Sequence, residues 1–95
     1  MFIILLRFGP NRAQAAQFMP DHKAWLQQGF DDNIFLLSGS LQPNQGGCIL
    51  AQGDSLESVQ ASVEKDPFVV HGIVTAEILQ ISPHQAAESM QFLLN

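Results

Sequence analysis

The chain has 95 residues, a net charge of −5, 14% charged residues and 46% hydrophobic residues. This length suits one small domain and excludes two, and four scattered cations without a basic stripe argue against nucleic-acid binding. Because an average soluble domain has roughly 25% charged residues, this chain has more apolar surface than a small monomer easily buries. We therefore expect self-association.

The first apolar segment, residues 2–8 (FIILLRF), ends at Gly9-Pro10 and is typical of a strand buried on both faces. It lacks the positive flank and the small-residue cleavage site of a signal peptide, and it is too short to span a bilayer. The single cysteine, Cys48, excludes an internal disulfide and suits a reducing compartment. These features predict a cytoplasmic protein without membrane association.

The first helix is predicted to begin after Asn11, with Gln14 completing a capping box, and to stop at Gly29. Pro20 interrupts this pattern. Because proline removes one backbone donor and clashes with the preceding turn, we expect a kink or a restart there. A restart would place His22 in the first turn of the new helix.

The remaining elements follow in the order strand, strand, helix, strand, helix: residues 34–41, residues 48–52, a helix between Asp54 and Asp66, a strand within residues 72–82, and a helix from residue 83. The Pro/Asn/Gly segment at 42–47 predicts a hairpin between the first two of these strands. Asp54 is the expected cap of its helix, and Asp66-Pro67 its end, because a residue before proline avoids helical geometry.

The order β-α-β-β-α-β followed by a C-terminal helix predicts the α+β, ferredoxin-like split βαβ arrangement with a four-stranded antiparallel sheet. We expect one domain over residues 1–95, with its core at 1–82 and the C-terminal helix at 83–95. Two helices cover only one face of such a sheet. The other face is therefore expected to pack against a second copy in a homodimer.

His22 is the first candidate for chemistry. Phe18, Trp25 and Leu26 stand three or four positions away, which places the imidazole in an apolar stripe, whereas Lys23 is expected to point away. A buried imidazole needs a hydrogen-bond partner. The pattern alone favours a core histidine bonded to a backbone carbonyl, and the alternative is an acid/base group.

Asp66 is the second candidate. It stands near the predicted C-terminus of its helix, where the helix dipole disfavours a negative charge, and Asp-Pro is also a common start of a turn. Both helices of a split βαβ fold lie on one sheet face, so Asp66 can approach His22. Such a pair would fix the tautomer of the imidazole and make it a general acid or base.

The other candidates carry weaker signals. Ser38-Gly39-Ser40 interrupts a strand, which indicates a bulge, a close backbone approach or a simple bend. Cys48 is more typical of a small buried hydrophobe than of a nucleophile. The three histidines lack the spacing of a metal site, and no phosphate loop or dinucleotide motif is present. We expect neither a metal nor a cofactor.

The segments PDHKAWL, LLSGSL, GGCIL and EKDPFVVHGIV, in this order, resemble the YCII-related (YciI-like) family over about residues 1–82. The most specific parts of the match are Pro20-x-His22 with Leu26, Gly39, and Asp66-Pro67-Phe68 with Gly72. Ser40 stands where many members have proline. His71 falls at a variable position, and the chain from Pro83 onward lies outside the match.

The resemblance implies a dimeric α+β barrel that dimerises through its sheet, and an active site in which His22 and Asp66 are the catalytic residues. It maps the family's serine-glycine segment onto Ser38 and Gly39. The apolar stripe around His22 is expected to form a wall of the substrate pocket with Phe18 and Trp25, and Phe68 of the matched motif is also predicted to bind the substrate. A few relatives are linked to dechlorination of aromatic-degradation intermediates, and the fold is similar to that of muconolactone isomerases.

The leading hypothesis is therefore a lyase-, isomerase- or dehydrochlorinase-like enzyme that performs proton-transfer or elimination chemistry on a small cyclic organic acid or phenol. The alternative is a non-catalytic module in which the same pocket only binds a small molecule or serves regulation. A third possibility is a cofactor-free oxygenase of the wider α+β-barrel class. Expected partners are a second copy of the chain and a small molecule, but neither nucleic acid nor a membrane.

Overall fold

A computed structural model describes residues 1–94. One antiparallel sheet has the strand order β2-β3-β1-β4. Its strands are β1 (Phe2–Phe8), β2 (Phe35–Leu41), β3 (Gly46–Ala51) and β4 (Val74–Gln80). The helices are α1 (Ala15–Asp31), α2 (Leu56–Val63) and α3 (Pro67–Val70), with 3₁₀ segments at Arg12–Gln14 and Glu88–Leu94. The predicted α+β ferredoxin-like fold is confirmed, and no helix within residues 1–94 is long and apolar enough to cross a membrane.

The central strand β1 explains the location of the core. Phe2, Ile4 and Leu6 are buried, and the residues between them are not, because successive side chains of a strand point to opposite faces. The buried face carries the helices. The core consists of Phe2, Ile4, Leu6, Phe35, Ile49, Ala51, Val59, Val63, Phe68, Ile73 and Val74.

The predicted capping box at Asn11 is wrong. No side-chain cap bond forms at this position, and a 3₁₀ turn at Arg12–Gln14 precedes α1. The Asn11 side chain instead donates from Nδ2 to the carbonyl oxygen of His71 at 2.8 Å. A long-range bond that ties the segment after β1 to the end of α3 takes the place of the local cap.

The predicted stop at Gly29 is also wrong, because α1 continues to Asp31. Gly29 is buried inside the helix, and a Cβ atom added there would overlap the ring of Phe35. Asp32 is the C-cap, and Asn33 follows it with a φ of 60°, the left-handed conformation that asparagine tolerates after a helix. Glycine is therefore needed at position 29, where α1 packs closely against Phe35 of β2.

This contact gives a stability prediction. Gly29→Ala should lower the free energy of unfolding, because overpacking a core costs about 1–3 kcal/mol and exceeds the gain in helix propensity of about 1 kcal/mol. Urea denaturation should show a smaller loss when the same change is made in a Phe35→Leu background, which removes part of the ring. Equal losses in the two backgrounds would contradict the packing explanation.

Pro20 neither interrupts nor restarts the helix, contrary to the prediction. It lies inside the continuous helix α1, and both Pro20 and Ala16 are exposed. The carbonyl of Ala16, which loses its usual amide partner, can therefore be hydrated. His22 lies beyond the first turn of this helix.

The second helical region differs from its prediction at both ends. Ser55, not Asp54, caps α2, since its side chain accepts a bond from the amide of Ser58 at 3.1 Å. The helix ends at Val63, and Asp66 caps a separate one-turn helix, α3. The helix dipole therefore favours the Asp66 carboxylate, contrary to the prediction, because this carboxylate lies at a helix N-terminus.

The C-terminal segment also begins later than expected. Residues 83–87 form no regular element, and Glu88–Leu94 is a 3₁₀ helix rather than an α-helix from Pro83. None of its residues is buried, so tertiary packing offers little support for an α-helix there. The last residue of the predicted helix, position 95, lies outside the described residues.

The sheet face opposite the helices is uncovered within residues 1–94, and much of it is apolar, with the Arg7–Glu77 ion pair at one end. Strand alternation and register place Ile3, Leu5, Leu37, Leu50 and Leu79 on this open face. Leu37 is 57% exposed and Leu79 is 41% exposed. Several aliphatic side chains thus share one continuous exposed surface.

Candidate active site

Helices α1 and α3 bring the two predicted catalytic residues together. His22 Nδ1 lies 2.7 Å from Asp66 Oδ1, although the residues are 44 positions apart in the chain. The side chain of His22 is 12% exposed and that of Asp66 is fully buried. A histidine so placed has a fixed hydrogen-bond partner on one ring nitrogen.

The Asp66 carboxylate has two roles in the fold. Its Oδ1 atom also accepts a bond from the backbone amide of Phe68 at 3.0 Å, which caps α3. Its Oδ2 atom is buried and has no hydrogen-bond partner within residues 1–94. The amide and the imidazole together hold a carboxylate that has no contact with solvent.

Phe68 fixes the plane of the imidazole. The rings of His22 and Phe68 stack with their centroids 4.0 Å apart and their planes 2° from parallel. Since Nδ1 is bonded to Asp66, Nε2 is the nitrogen that remains available, and it has no hydrogen-bond partner within residues 1–94. A neutral imidazole that donates from Nδ1 presents Nε2 as an acceptor.

A cavity of about 350 Å³ lies between α1 and the sheet, and His22 is part of its wall. Most of the wall is apolar, with the side chains of Leu6, Phe8, Ala15, Met19, Leu26, Ile49, Phe68 and Val74. Its polar side chains come from α1 and β2, namely His22, Lys23, Ser38 and Ser40. An apolar chamber with a few polar groups is the usual form of a small-molecule site.

Three of the five predicted substrate-binding residues, Ser38, Gly39 and Phe68, line this cavity. Phe18 and Trp25 do not. The ring of Phe18 stacks on His71 at 3.8 Å, and Trp25 Nε1 donates to the carbonyl of Ser62 at 3.0 Å. Both aromatic side chains attach α1 to the neighbouring chain segments.

Lys23 and Ser40 were not among the predicted site residues. Lys23 was expected to point away from the apolar stripe, yet it lines the cavity with Ala15 and Met19. These three residues are spaced by four positions and so form one row of a helix. This second row of α1, next to the row that contains His22, is the sequence pattern that could have indicated Lys23 as a cavity residue.

Gly39 shows neither of its two more specific predicted features. A Cβ atom there would meet nothing within 4 Å, and the register shift of β2 lies between Phe35 and Leu37. The close backbone approach occurs at Gly46, which has a φ of 132° and would overlap the carbonyl of Leu6 with a Cβ. Cys48 is partly buried and its thiol is free within the described residues.

A family comparison matches the YCII-related domain over residues 1–82. The chain belongs to the YCII-related family. Among solved structures, it is similar to 5-chloro-2-hydroxyhydroquinone dehydrochlorinase (TftG) from Burkholderia phenoliruptrix AC1100, in complex with 2,5-dihydroxybenzoquinone. That match has a TM-score of 0.69 and 16% identity and covers 85% of this chain and 93% of the other. No curated protein matches the sequence significantly.

This YCII-related chain has a second, larger cavity of about 610 Å³ between the C-terminal 3₁₀ segment, the end of α1 and the start of α2. Asp32 and Asp54 lie on its wall, but among the described residues no histidine, cysteine, lysine or arginine does. Residues 1–94 also contain no group of three or more metal-ligating side chains. The larger cavity therefore lacks the paired acid/base groups found at His22.

Proposed function

We propose that this protein is a small enzyme that moves a proton on a small cyclic organic molecule, with His22 as the acid/base group and Asp66 as its positioning residue. The observation that carries this proposal is the 2.7 Å contact between His22 and the buried carboxylate, beside an apolar cavity. A histidine that is only part of a core would have both nitrogens satisfied or enclosed. Here Nε2 is left for a ligand.

The geometry supports a simple reaction step. Asp66 accepts a hydrogen bond from Nδ1–H, so the lone pair of Nε2 takes a proton from a C–H or O–H group of the substrate and the ring becomes an imidazolium beside the carboxylate. The electron pair left on the substrate forms a new π bond. In an elimination, the formation of this π bond expels a leaving group, such as halide, together with its bonding electron pair. In an isomerisation, Nε2 returns the proton to a different atom of the substrate.

The size of the cavity supports a monocyclic substrate, because about 350 Å³ is at the small end of ligand pockets, which span roughly 300–1,000 Å³. The similar structure, TftG, is a dehydrochlorinase of 5-chloro-2-hydroxyhydroquinone. A halogenated polyhydroxybenzene is therefore the first compound class to test. The expected products are a quinone-type ring and one equivalent each of halide and proton.

The test is a turnover assay with 5-chloro-2-hydroxyhydroquinone, followed by other monocyclic phenols and carboxylic acids, with chloride release and product formation as readouts. Consumption of any of them that depends on the protein supports the enzyme. A compound that raises the melting temperature but is never consumed would support the alternative, a non-catalytic binding module. Oxygen uptake during turnover would instead support the third possibility, a cofactor-free oxygenase.

We further infer that two copies associate through the open sheet face, since this face carries exposed aliphatic side chains and the helices cover only the opposite one. Light scattering at micromolar concentration should give about twice the monomer mass of 10.4 kDa. Leu37→Glu should shift the protein toward the monomer, because it places a charge on this face.

Val70→Glu is the matched control for that experiment. Val70 is 61% exposed against 57% for Leu37, but it ends α3 and lies away from the open face. It should leave the mass unchanged. A monomeric wild-type protein, or equal effects of the two variants, would contradict dimerisation through this face.

A further inference from the structure

Three polar side chains in the cavity have no partner within the described part of the chain. Lys23, Ser38 and Ser40 all line the cavity, and none of their side chains takes part in a hydrogen bond or ion pair within residues 1–94. The hydroxyls and the ammonium group together offer several donors. These donors are available to a bound molecule.

The charge of the cavity is opposite to that of the chain. The protein has a net charge of −5, yet the cavity wall contains no carboxylate and has Lys23 as its cationic side chain. Both arginines have other contacts: Arg7 pairs with Glu77 at 2.6 Å, and Arg12 lies over the ring of Phe8 at 4.1 Å. Lys23 therefore attracts an anion without a competing protein carboxylate in the cavity wall.

The lysine and the serines approach the cavity from opposite walls. Lys23 belongs to α1, whereas the β2–β3 register pairs Ser38 with Ile49 and Ser40 with Gly47, on the sheet face that carries the helices. Gly47 has no side chain, so nothing on the neighbouring strand crowds the hydroxyl of Ser40. Lys23 is exposed, which places it at the open side of the cavity.

We propose that Lys23, with Ser38 and Ser40, binds the anionic oxygen of a monocyclic carboxylate or phenolate and so determines the substrate class of this site. The orientation rests on the proposed function: the anionic oxygen lies toward Lys23, and the group that loses a proton lies toward His22. The apolar wall encloses the ring. The contact with Lys23 lies at the open side of the cavity, where a charge-assisted hydrogen bond is still stronger than a neutral one.

Benzoate and benzamide are suitable probes, since they have similar shapes and differ in charge. Their affinities are measured by NMR titration of the full chain at low ionic strength, from the shifts of the His22 ring and the Ser38 and Ser40 amides. Benzoate should bind about tenfold more tightly than benzamide, as expected for one charge-assisted contact. This preference should weaken as salt is added.

Lys23→Gln should abolish the preference for benzoate and leave the affinity for benzamide unchanged. Lys65→Gln is the matched control, because it removes the same charge from a residue that does not line the cavity; it should preserve the preference. Ser40→Ala should weaken benzoate binding by a smaller factor of about two to threefold, because one neutral hydrogen bond is lost. The dispersion of the amide spectrum verifies that each variant is folded.

Equal affinity for the two probes, no binding of either, or a preference that survives Lys23→Gln would overturn the proposal. An equal loss in Lys65→Gln would do the same, because it would show an effect of net charge alone. These binding results do not depend on turnover. A benzoate preference without any consumed substrate would contradict the proposed enzyme but not the anion site, whereas turnover without the preference would contradict only the anion site.

Discussion

Asp66→Ala is expected to lower the free energy of unfolding by about 2–5 kcal/mol. The substitution removes the cap of α3, which is worth about 0.5–2 kcal/mol, and a charged hydrogen bond to His22, worth about 1.5–3 kcal/mol. Both contacts involve the same buried oxygen atom, Oδ1. For a small domain this is a large part of the total stability, and urea or thermal denaturation measures it.

Ser55→Ala is the matched control for this prediction. Ser55 also caps a helix through its side chain, at 3.1 Å from the Ser58 amide, but it has no histidine partner. Its replacement should cost about 1 kcal/mol. If the two variants lose the same stability, the contact between Asp66 and His22 contributes nothing measurable to the fold.

His22→Gln is expected to reduce turnover by about 10²–10⁴-fold, the usual contribution of a general acid or base. The glutamine retains a side chain that can reach Asp66, so the fold should survive. The measurement is the rate with the compound consumed fastest in the turnover assay. Asp66→Asn should also lower this rate, since asparagine has no charge to orient the imidazole.

His84→Gln is the control for that experiment, because His84 is exposed and lies outside the cavity wall. It should turn over at the wild-type rate. If His22→Gln keeps the wild-type rate as well, the proton is moved by another group and the proposed role of His22 is wrong.

The order of strands and helices along the chain and the pairing of the two hairpin strands could be predicted because each depends on local patterns. The apolar run of β1, the turn at 42–47 and the proline after Asp66 occur in an order that few folds accommodate. The contact between His22 and Asp66 was expected only as a possibility that the split βαβ topology allows. Its distance depends on α3 (Pro67–Val70), a one-turn helix that the sequence pattern did not predict.

The errors share a physical cause, which is tertiary contact overriding local preference. Asn11 and Gly29 both resemble helix ends, but Asn11 bonds to a distant carbonyl and Gly29 makes room for the Phe35 ring. Lys23 was misplaced for a related reason. An apolar stripe drawn through His22 leaves out the adjacent row of α1, and only the position of β2 shows that this row faces a cavity.

The tautomer of His22 decides whether the imidazole can act as a general base. In ¹⁵N NMR spectra recorded where the ring is neutral, we expect a proton on Nδ1, bonded to Asp66, and an unprotonated Nε2 that is available to a substrate. Free imidazole side chains favour the opposite tautomer, so the expected result is specific. A His22 ring that carries its proton on Nε2 would have no free acceptor for a substrate proton and would contradict the proposed role.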